Sequence, residues 1–175
     1  MLGWFKKFEC YLDALLQTFR QTSILALFPV FILLFGIGEV SKVAIVFWGA
    51  SWPILLNTIS GVKNIDSLLV KSARSMGASQ LTIFRTVVLP ASIPSILTGV
   101  RLSATLSIIV LTGAEMMGAS AGLGFLVFDS QAKFRIPEMF AAIATMSLVG
   151  LIVNYSIVAI EQKVARWKED LPVGG

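Results

Sequence analysis

Residues 71–90 read KSARSMGASQLTIFRTVVLP and form a basic, polar stretch between two long apolar runs. Before it, residues 43–62 carry no charge, and after it, residues 91–114 carry only Arg101. A helix that spans a bilayer needs about 20 mostly apolar residues. Both runs meet that length, so the stretch is predicted to connect two membrane helices.

The composition of the whole chain indicates the same class. Of its 175 residues, 56% are hydrophobic and only 14% are charged, and the mean hydropathy is +0.84. A soluble domain carries about 25% charged residues. We therefore predict an all-α integral membrane protein.

Four segments are apolar enough to be membrane helices. They are predicted at Ser23–Gly38, Val43–Ile59, Pro90–Glu115 and Pro137–Ile160. The prolines inside them are compatible with this assignment, because neighbouring helices satisfy the carbonyl groups that a proline leaves free.

Lysine and arginine are distributed unevenly between the two sides that these helices define. With a cytoplasmic N-terminus, three lie outside: Lys42, Lys133 and Arg135. The other eleven lie inside: Lys6, Lys7, Arg20, Lys63, Lys71, Arg74, Arg85, Arg101, Lys163, Arg166 and Lys168. Cytoplasmic loops of membrane proteins are rich in basic residues. We therefore predict that both termini and the loop Lys63–Val88 are cytoplasmic.

The loop Lys63–Val88, called the polar segment below, is predicted to form two short helices. Asp66 or Ser67 can cap the first, and Gly77 suits the position after its end, where a positive φ is required. Ser79 can cap the second. The first helix carries an apolar stripe at helical spacing, formed by Leu68, Leu69, Ala73 and Met76.

The second helix of the polar segment is predicted from Gln80 to Val88, leading into Leu89-Pro90. A helix–glycine–helix unit that stands off a membrane has the shape of a docking element. A solvated loop between helices explains the same residues, and the two interpretations remain open on this evidence.

Several function classes are disfavoured by what the sequence lacks. It has no histidine, one cysteine (Cys10) and no G-x-x-x-x-G-K-[ST] phosphate loop. No nucleophile–base pair or metal-ligand constellation is recognisable, so we expect no catalytic residue, metal or cofactor and no enzyme activity in this chain. The basic residues flank apolar spans instead of forming one stripe, which argues against nucleic-acid binding.

The polar segment resembles the E-A-A-x3-G-x9-I-x-L-P signature of binding-protein-dependent ABC permeases, the EAA motif. Lys71-Ser72-Ala73 occupies the E-A-A position, Gly77 follows at the required spacing, and Val87-Val88-Leu89-Pro90 closes the motif. Lys71 stands where the motif has an acidic residue, and Ser72 stands where it has alanine. Lys71 thus reverses a charge that the family associates with the ATPase contact; either the partner compensates or the contact is weaker.

Other stretches are similar to permeases of the nitrate/sulfonate/taurine branch. They are residues 26–39, 53–58, 88–102 and 114–124, within a resemblance that extends from about Tyr11 to Trp167. The family fold has six helices, and this chain begins where the second has ended, so we expect a truncated chain of uncertain transport competence. Residues 1–20 would be a cytoplasmic N-terminal segment. Residues 21–175 would be the transmembrane domain, with a coupling loop at 63–90.

The resemblance implies a permease subunit of an ATP-driven importer in the bacterial cytoplasmic (inner) membrane. Its implied partners are a separate ABC ATP-binding subunit, a second permease copy, an extracytoplasmic solute-binding protein and membrane lipid. The implied substrate is a small solute such as nitrate, a sulfonate or taurine. The implied ATPase contacts are Lys71, Ser72, Ala73, Gly77, Ala78, Val87, Leu89 and Pro90. The alternatives are a truncated scaffold that transports nothing and a small channel.

A second candidate site lies near the outer end of the third predicted helix. An acidic residue at membrane depth is a functional-site hypothesis by default, and Glu115 is followed by a glycine-rich stretch. The candidate pathway or outer-gate residues are Glu115, Gly118, Ser120, Gly122 and Gly124. Glu115 lines a pathway, holds the glycine-rich stretch, or lies solvated in the interface. Arg101 either extends to the cytoplasmic interface or lines a pathway for an anion.

Overall fold

The computed structural model describes residues 21–165, with side chains up to residue 163. The predicted N-terminal segment 1–20 and residues 166–175 lie outside this range. All regular elements within it are helices, which confirms the all-α prediction. The α-helices are α1 (Ile24–Phe35), α2 (Glu39–Lys63), α3 (Ser67–Ser75), α4 (Gln80–Ile83), α5 (Leu89–Gly118), α6 (Leu123–Ala132) and α7 (Ile136–Ala165); one π-turn covers Phe84–Val88.

Three helical stretches in the described chain are long and apolar enough to cross a membrane. They are Glu39–Lys63, Gln80–Gly118 and Ile136–Lys163. The first predicted membrane helix is the shorter apolar α1, which has 12 residues. At about 1.5 Å per residue it covers about 18 Å. It ends at Gly36, whose φ of 80° breaks the helical geometry.

Helices α2 and α5 pack closely because small residues line the seam between them. Gly99 faces Ile54 and the carbonyl oxygen of Pro53, both 3.0 Å from where a Cβ would stand. The Ser103 hydroxyl donates a hydrogen bond of 2.5 Å to the Ala50 carbonyl. Small residues allow such close approach between membrane helices.

Helices α5 and α7 run antiparallel. The Thr112 hydroxyl lies 3.9 Å from the Met146 sulfur, and Arg101 forms an ion pair with Glu161. This register places the start of α7 at the Gly118 end of the bundle and Glu161 at the end that carries the polar segment. Lys42, Lys133 and Arg135 therefore lie at the opposite end from the polar segment, in agreement with the two groups of basic residues predicted from the sequence.

The second helix of the polar segment is continuous with α5. The π-turn joins α4 to α5, and Gln80–Gly118 forms one 39-residue helical stretch. Pro90 follows the π-turn directly, has no N–H to donate, and in an α-helix its ring would collide with the Thr86 carbonyl. The wider turn avoids that clash, because the Leu89 N–H instead reaches the Phe84 carbonyl.

The buried core is small and lies near the Gly118 end. It consists of Phe28, Ile45, Val110 and Ala114. Half of the large apolar side chains among residues 21–163 are exposed in the isolated chain, Leu33 to 85%. Exposed apolar surface of this extent on long helices is typical of a protein that is solvated by lipid.

Candidate functional site

The first helix of the polar segment begins where the sequence predicts. Asp66 is the N-cap of α3, and its carboxylate accepts a hydrogen bond of 2.8 Å from the Leu68 N–H. This bond satisfies one of the backbone donors that the first turn of a helix leaves free. Of the two predicted caps, Asp66 is the one used.

The turn between the two short helices depends on Gly77. Its φ is +81°, a conformation that side chains with a Cβ rarely adopt. Its N–H bonds to the Arg74 carbonyl at 3.0 Å, and the Ala78 N–H bonds to the Ala73 carbonyl at 3.2 Å. The Ser79 hydroxyl then accepts from the Thr82 N–H at 3.2 Å. Gly77 therefore follows the helix end, and Ser79 caps the next helix, as the sequence predicts.

The two short helices pack against each other, and each buries one apolar side chain. Ala73 and Ile83 are buried, at 8% and 4% exposure. The rest of the predicted stripe on α3 faces outward, so Ala73 alone serves as its internal contact. The exposed apolar residues of the segment are Leu68, Leu69, Met76, Leu81 and Phe84. Of the other motif residues, Ser72 and Leu89 are exposed, and Ala78, Val87 and Pro90 are half-buried.

The polar segment is also positively charged. Lys71, Arg74 and Arg85 are exposed, and residues 67–88 contain no acidic side chain. Among residues 21–163, none of these three forms an ion pair. By contrast, Lys42, Lys133 and Arg135, at the opposite end of the bundle, each pair with a carboxylate.

The structure brings three of the predicted outer residues together. The Glu115 carboxylate accepts a hydrogen bond of 2.8 Å from the Gly124 N–H, at the first turn of α6. Gly122 has a φ of +122°, and a Cβ there would lie 2.5 Å from the same carboxylate. A Cβ on Gly124 would lie 2.5 Å from the Thr112 carbonyl oxygen. A carboxylate at a helix N-terminus is favoured by the helix dipole, so Glu115 caps α6.

The other two predicted outer residues are placed differently. Gly118 packs against Phe28 and Ile32 of α1, where a Cβ would lie 3.3 Å from each side chain. Ser120 is exposed and has no side-chain hydrogen bond to a described residue. Neither contacts the Glu115 carboxylate group.

Two features of this region were missed from the sequence. The first is α6, a 10-residue helix within a stretch that the sequence indicates only as glycine-rich. Its only signal is the short apolar run 123–128. The second is the pairing of Asp129 with Lys133 at 2.7 Å and Arg135 at 3.0 Å. The i,i+4 spacing of Asp129 and Lys133 is a signal that could have found part of it.

Arg101 also has a partner that the sequence did not reveal. It forms an ion pair with Glu161, the first charged residue after the uncharged run 139–160. The pair closes one end of a groove between α5 and α7 of about 700 Å³. The polar side chains that line this groove are Arg101, Thr105, Thr112, Ser147 and Asn154.

Together, the apolar helices define a multi-pass membrane protein, with a short helical unit between two of them. Residues 2–166 match the family described as binding-protein-dependent transport system inner membrane component. The chain belongs to this family. The match confirms the family that the resemblance indicated.

Individual relatives identify the branch. SsuC of Bacillus subtilis, a protein named for aliphatic sulfonate transport, is 35% identical over 168 residues, which cover 96% of this chain. The nitrate import permease protein NrtB of Leptolyngbya laminosa is 33% identical over 153 residues, which cover 87% of this chain. The nitrate/sulfonate/taurine branch is therefore the correct assignment.

The fold is that of a solved ABC transporter. A chain of the MetNI methionine ABC transporter, in an inward-facing conformation, superposes with a TM-score of 0.77 at 19% identity, covering 91% of this chain and 76% of that one. The chain spans 61% of the length of SsuC and 55% of that of NrtB.

Proposed function

We propose that this chain acts as a permease subunit of an ATP-driven importer and engages a separate ATP-binding subunit through the polar segment. The observation that carries the proposal is the capped helix–Gly77–helix unit, which projects from the bundle with its apolar side chains exposed. The family to which the chain belongs supports it, because such transport systems combine membrane and ATP-binding components.

In this proposal, the unit docks in a groove of the ATPase. ATP-driven closure of an ATPase pair moves the unit, and the movement changes the membrane helices between two states. A ligand shifts such an equilibrium only by its different affinity for the two states. The contacts are the motif residues Lys71, Ser72, Ala73, Gly77, Ala78, Val87, Leu89 and Pro90.

The proposal includes two further partners and an orientation. A second permease copy completes the pathway, and an extracytoplasmic solute-binding protein delivers the substrate. The uneven distribution of lysine and arginine supports a cytoplasmic polar segment and cytoplasmic termini. Glu115 and the glycine-rich stretch then lie on the outer side, where the cap on α6 fixes the residues that border the outer cavity.

The proposed substrate is a small anion or a related compound. Sulfonates and nitrate are the solutes for which two relatives are named, and taurine also carries a sulfonate group. Glu115 is not proposed as a direct ligand, because a carboxylate would repel an anion. Its bond to the Gly124 N–H gives it a structural role instead.

Co-purification tests the ATPase partner. The protein is tagged, extracted from its native membrane under mild conditions, and everything retained is identified by mass spectrometry. We expect an ABC ATP-binding subunit in the eluate. The Gly77→Val variant should lose it, because valine at a φ of +81° strains the turn.

Gly36→Val is the matched control. Gly36 also has a positive φ, +80°, and a Cβ at either glycine would meet nothing within 4 Å. Its ψ of 173° places it in a region that essentially only glycine adopts, so valine there also strains the backbone. Because Gly36 lies at the opposite end of the bundle, its substitution should leave ATPase recovery intact. Absence of an ATPase from the wild-type eluate would favour the scaffold. Equal loss in both variants would show that instability, not the docking unit, caused the effect.

A further inference from the structure

The charge of the polar segment points to the chemistry of its docking partner. Lys71 and Arg74 are three residues apart, so they lie on the same side of α3. Arg85 adds a third exposed cation in the π-turn. No acidic side chain of residues 21–163 neutralises any of these three cations. A surface that covers them must supply the opposite charge or bear the cost of removing them from water.

The exposed apolar side chains set the second requirement. Leu68, Met76 and Leu81 are 65%, 80% and 59% exposed, although the segment is polar in composition. Burying apolar side chains of this size in a partner surface is favourable. The partner surface therefore needs an apolar floor as well as charge.

Two kinds of partner satisfy both requirements, an anionic lipid surface and an acidic, apolar protein groove. The position of the segment relative to the membrane distinguishes them. Lys63 ends the uncharged run 43–62 of α2, and Gly61 packs against Ser92 and Ser95, so the membrane edge on α5 lies near Ser92. Gln80 lies 12 residues before Ser92 in the same helical stretch, a distance of about 18 Å at about 1.5 Å per residue.

The lipid headgroup layer is only about 5–8 Å thick on each side of the hydrocarbon. α4 therefore stands beyond the headgroups, and α3 stays with it because α3 packs against α4 and the π-turn. A protein groove is the partner that this position favours.

We propose that the groove of the ATP-binding subunit that receives this unit has an apolar floor and an acidic rim, and that Lys71 and Arg74 face the acids. This inference rests on the proposed function and specifies its interface. The cation at position 71 then selects an ATPase with complementary charge and rejects one with a basic rim, because like charges at close range are unfavourable.

The test measures the affinity between the permease and the ATPase recovered by co-purification. The permease is placed in nanodiscs of phosphatidylcholine, which removes anionic lipid. Lys71→Glu and Arg74→Glu are compared with Lys163→Glu, the same charge change on an exposed residue of α7. Each reversal in the polar segment should weaken binding about two- to thirtyfold in 0.1 M NaCl, because a reversal changes the free energy by about twice the contribution of an exposed ion pair. The control variant should bind as the wild type does.

Salt provides an independent readout. The Debye length falls from about 10 Å at 0.1 M to about 3 Å at 1 M, so the difference between wild type and the Lys71→Glu variant should shrink to about twofold at 1 M. Crosslinking from Lys71→Cys, in a Cys10→Ser background, identifies the facing ATPase residue. Changing that acid to lysine should restore binding to the Lys71→Glu variant.

The results that would overturn the inference differ from those that would overturn the proposed function. If the ATPase binds the wild type and both reversal variants equally, or binds Lys71→Glu more tightly, the rim is not acidic. If brominated phosphatidylglycerol quenches the Met76→Trp variant more than the wild type, whose four tryptophans give the background, the unit contacts lipid instead. If no ATPase binds the wild type at all, the proposed function itself fails.

Discussion

The seam between α2 and α5 can be tested at Gly61, which lies just before the polar segment. A Cβ on Gly61 would lie 2.6 Å from the Ser95 Cβ and 3.4 Å from the Ser92 carbonyl oxygen. Carbon atoms pack at about 3.5–4.0 Å, so Gly61→Ala must push the helices apart by about 1 Å. Overpacking of this kind costs about 1–3 kcal/mol.

The higher helix propensity of alanine offsets up to about 1 kcal/mol of this cost. We therefore expect the free energy of unfolding to fall by up to about 2 kcal/mol in Gly61→Ala. The double variant Gly61→Ala, Ser95→Gly moves the glycine to the opposite helix and removes the clash. Its stability should return close to that of the wild type, which gives a strongly non-additive double-mutant cycle.

Gly150→Ala is the matched control for this prediction. Gly150 lies inside α7, and a Cβ there would meet only the Ile108 Cδ1, at 3.9 Å, which is ordinary contact. Alanine at this position should leave stability unchanged or raise it. The assay is unfolding in one detergent, followed by circular dichroism during titration with SDS. The reasoning is refuted if Gly61→Ala is as stable as Gly150→Ala. It is also refuted if the loss of stability in the double variant equals the sum of the losses in Gly61→Ala and Ser95→Gly.

Three further predictions concern single contacts. Glu161→Gln should lower the free energy of unfolding by about 1 kcal/mol, because both partners are partly exposed, Arg101 to 39% and Glu161 to 20%. A lower melting temperature reports this loss. The prediction is contradicted if the charge-swapped variant Arg101→Glu, Glu161→Arg does not recover stability. Glu115→Ala should lower the free energy of unfolding by about 1 kcal/mol and speed hydrogen exchange of the Gly124 amide. Glu115→Gln should have an intermediate effect, because glutamine keeps an acceptor oxygen. Unchanged exchange in Glu115→Ala would exclude the cap. At Gly77, asparagine should retain more ATPase than valine, because asparagine tolerates a positive φ; equal recovery would show that the turn does not matter.

The local features of the polar segment could be predicted because their causes lie within a few residues. Asp66 and Ser79 cap helices through bonds to amides two and three residues ahead. Gly77 ends α3 because of its own backbone freedom. Such contacts are encoded in short sequence patterns, so one sequence without relatives was sufficient to place them.

The long-range contacts could not be predicted in the same way. Arg101 and Glu161 are 60 residues apart in sequence, and only the antiparallel register of α5 and α7 brings them together. The sequence left Arg101 with two interpretations because its partner depends on that register. Helix α6 was missed because its cap is not local: the Glu115 carboxylate accepts a hydrogen bond from the Gly124 N–H, nine residues further along the chain.

The π-turn determines how the second short helix connects to α5. The sequence predicted that the second short helix ends where the membrane helix begins, at Leu89-Pro90. Proline normally interrupts an α-helix, yet the wider turn at Phe84–Val88 absorbs the interruption and keeps the helix continuous. The helical rod therefore extends from Gln80 to the glycine-rich stretch.

This continuity has a mechanical consequence for the proposed function. A force on the polar segment acts directly on α5, because no loop lies between them. Helix α5 is locked to α2 by the small-residue seam at Gly61 and Gly99, and it bears the carboxylate that caps α6 at its far end. A displacement of the polar segment therefore moves α2 and α5 as one unit and changes the position of the α6 cap. The seam transmits the movement only while the two helices remain in close contact, so Gly61→Ala should reduce the coupling of transport to ATP hydrolysis more than its effect on stability alone accounts for.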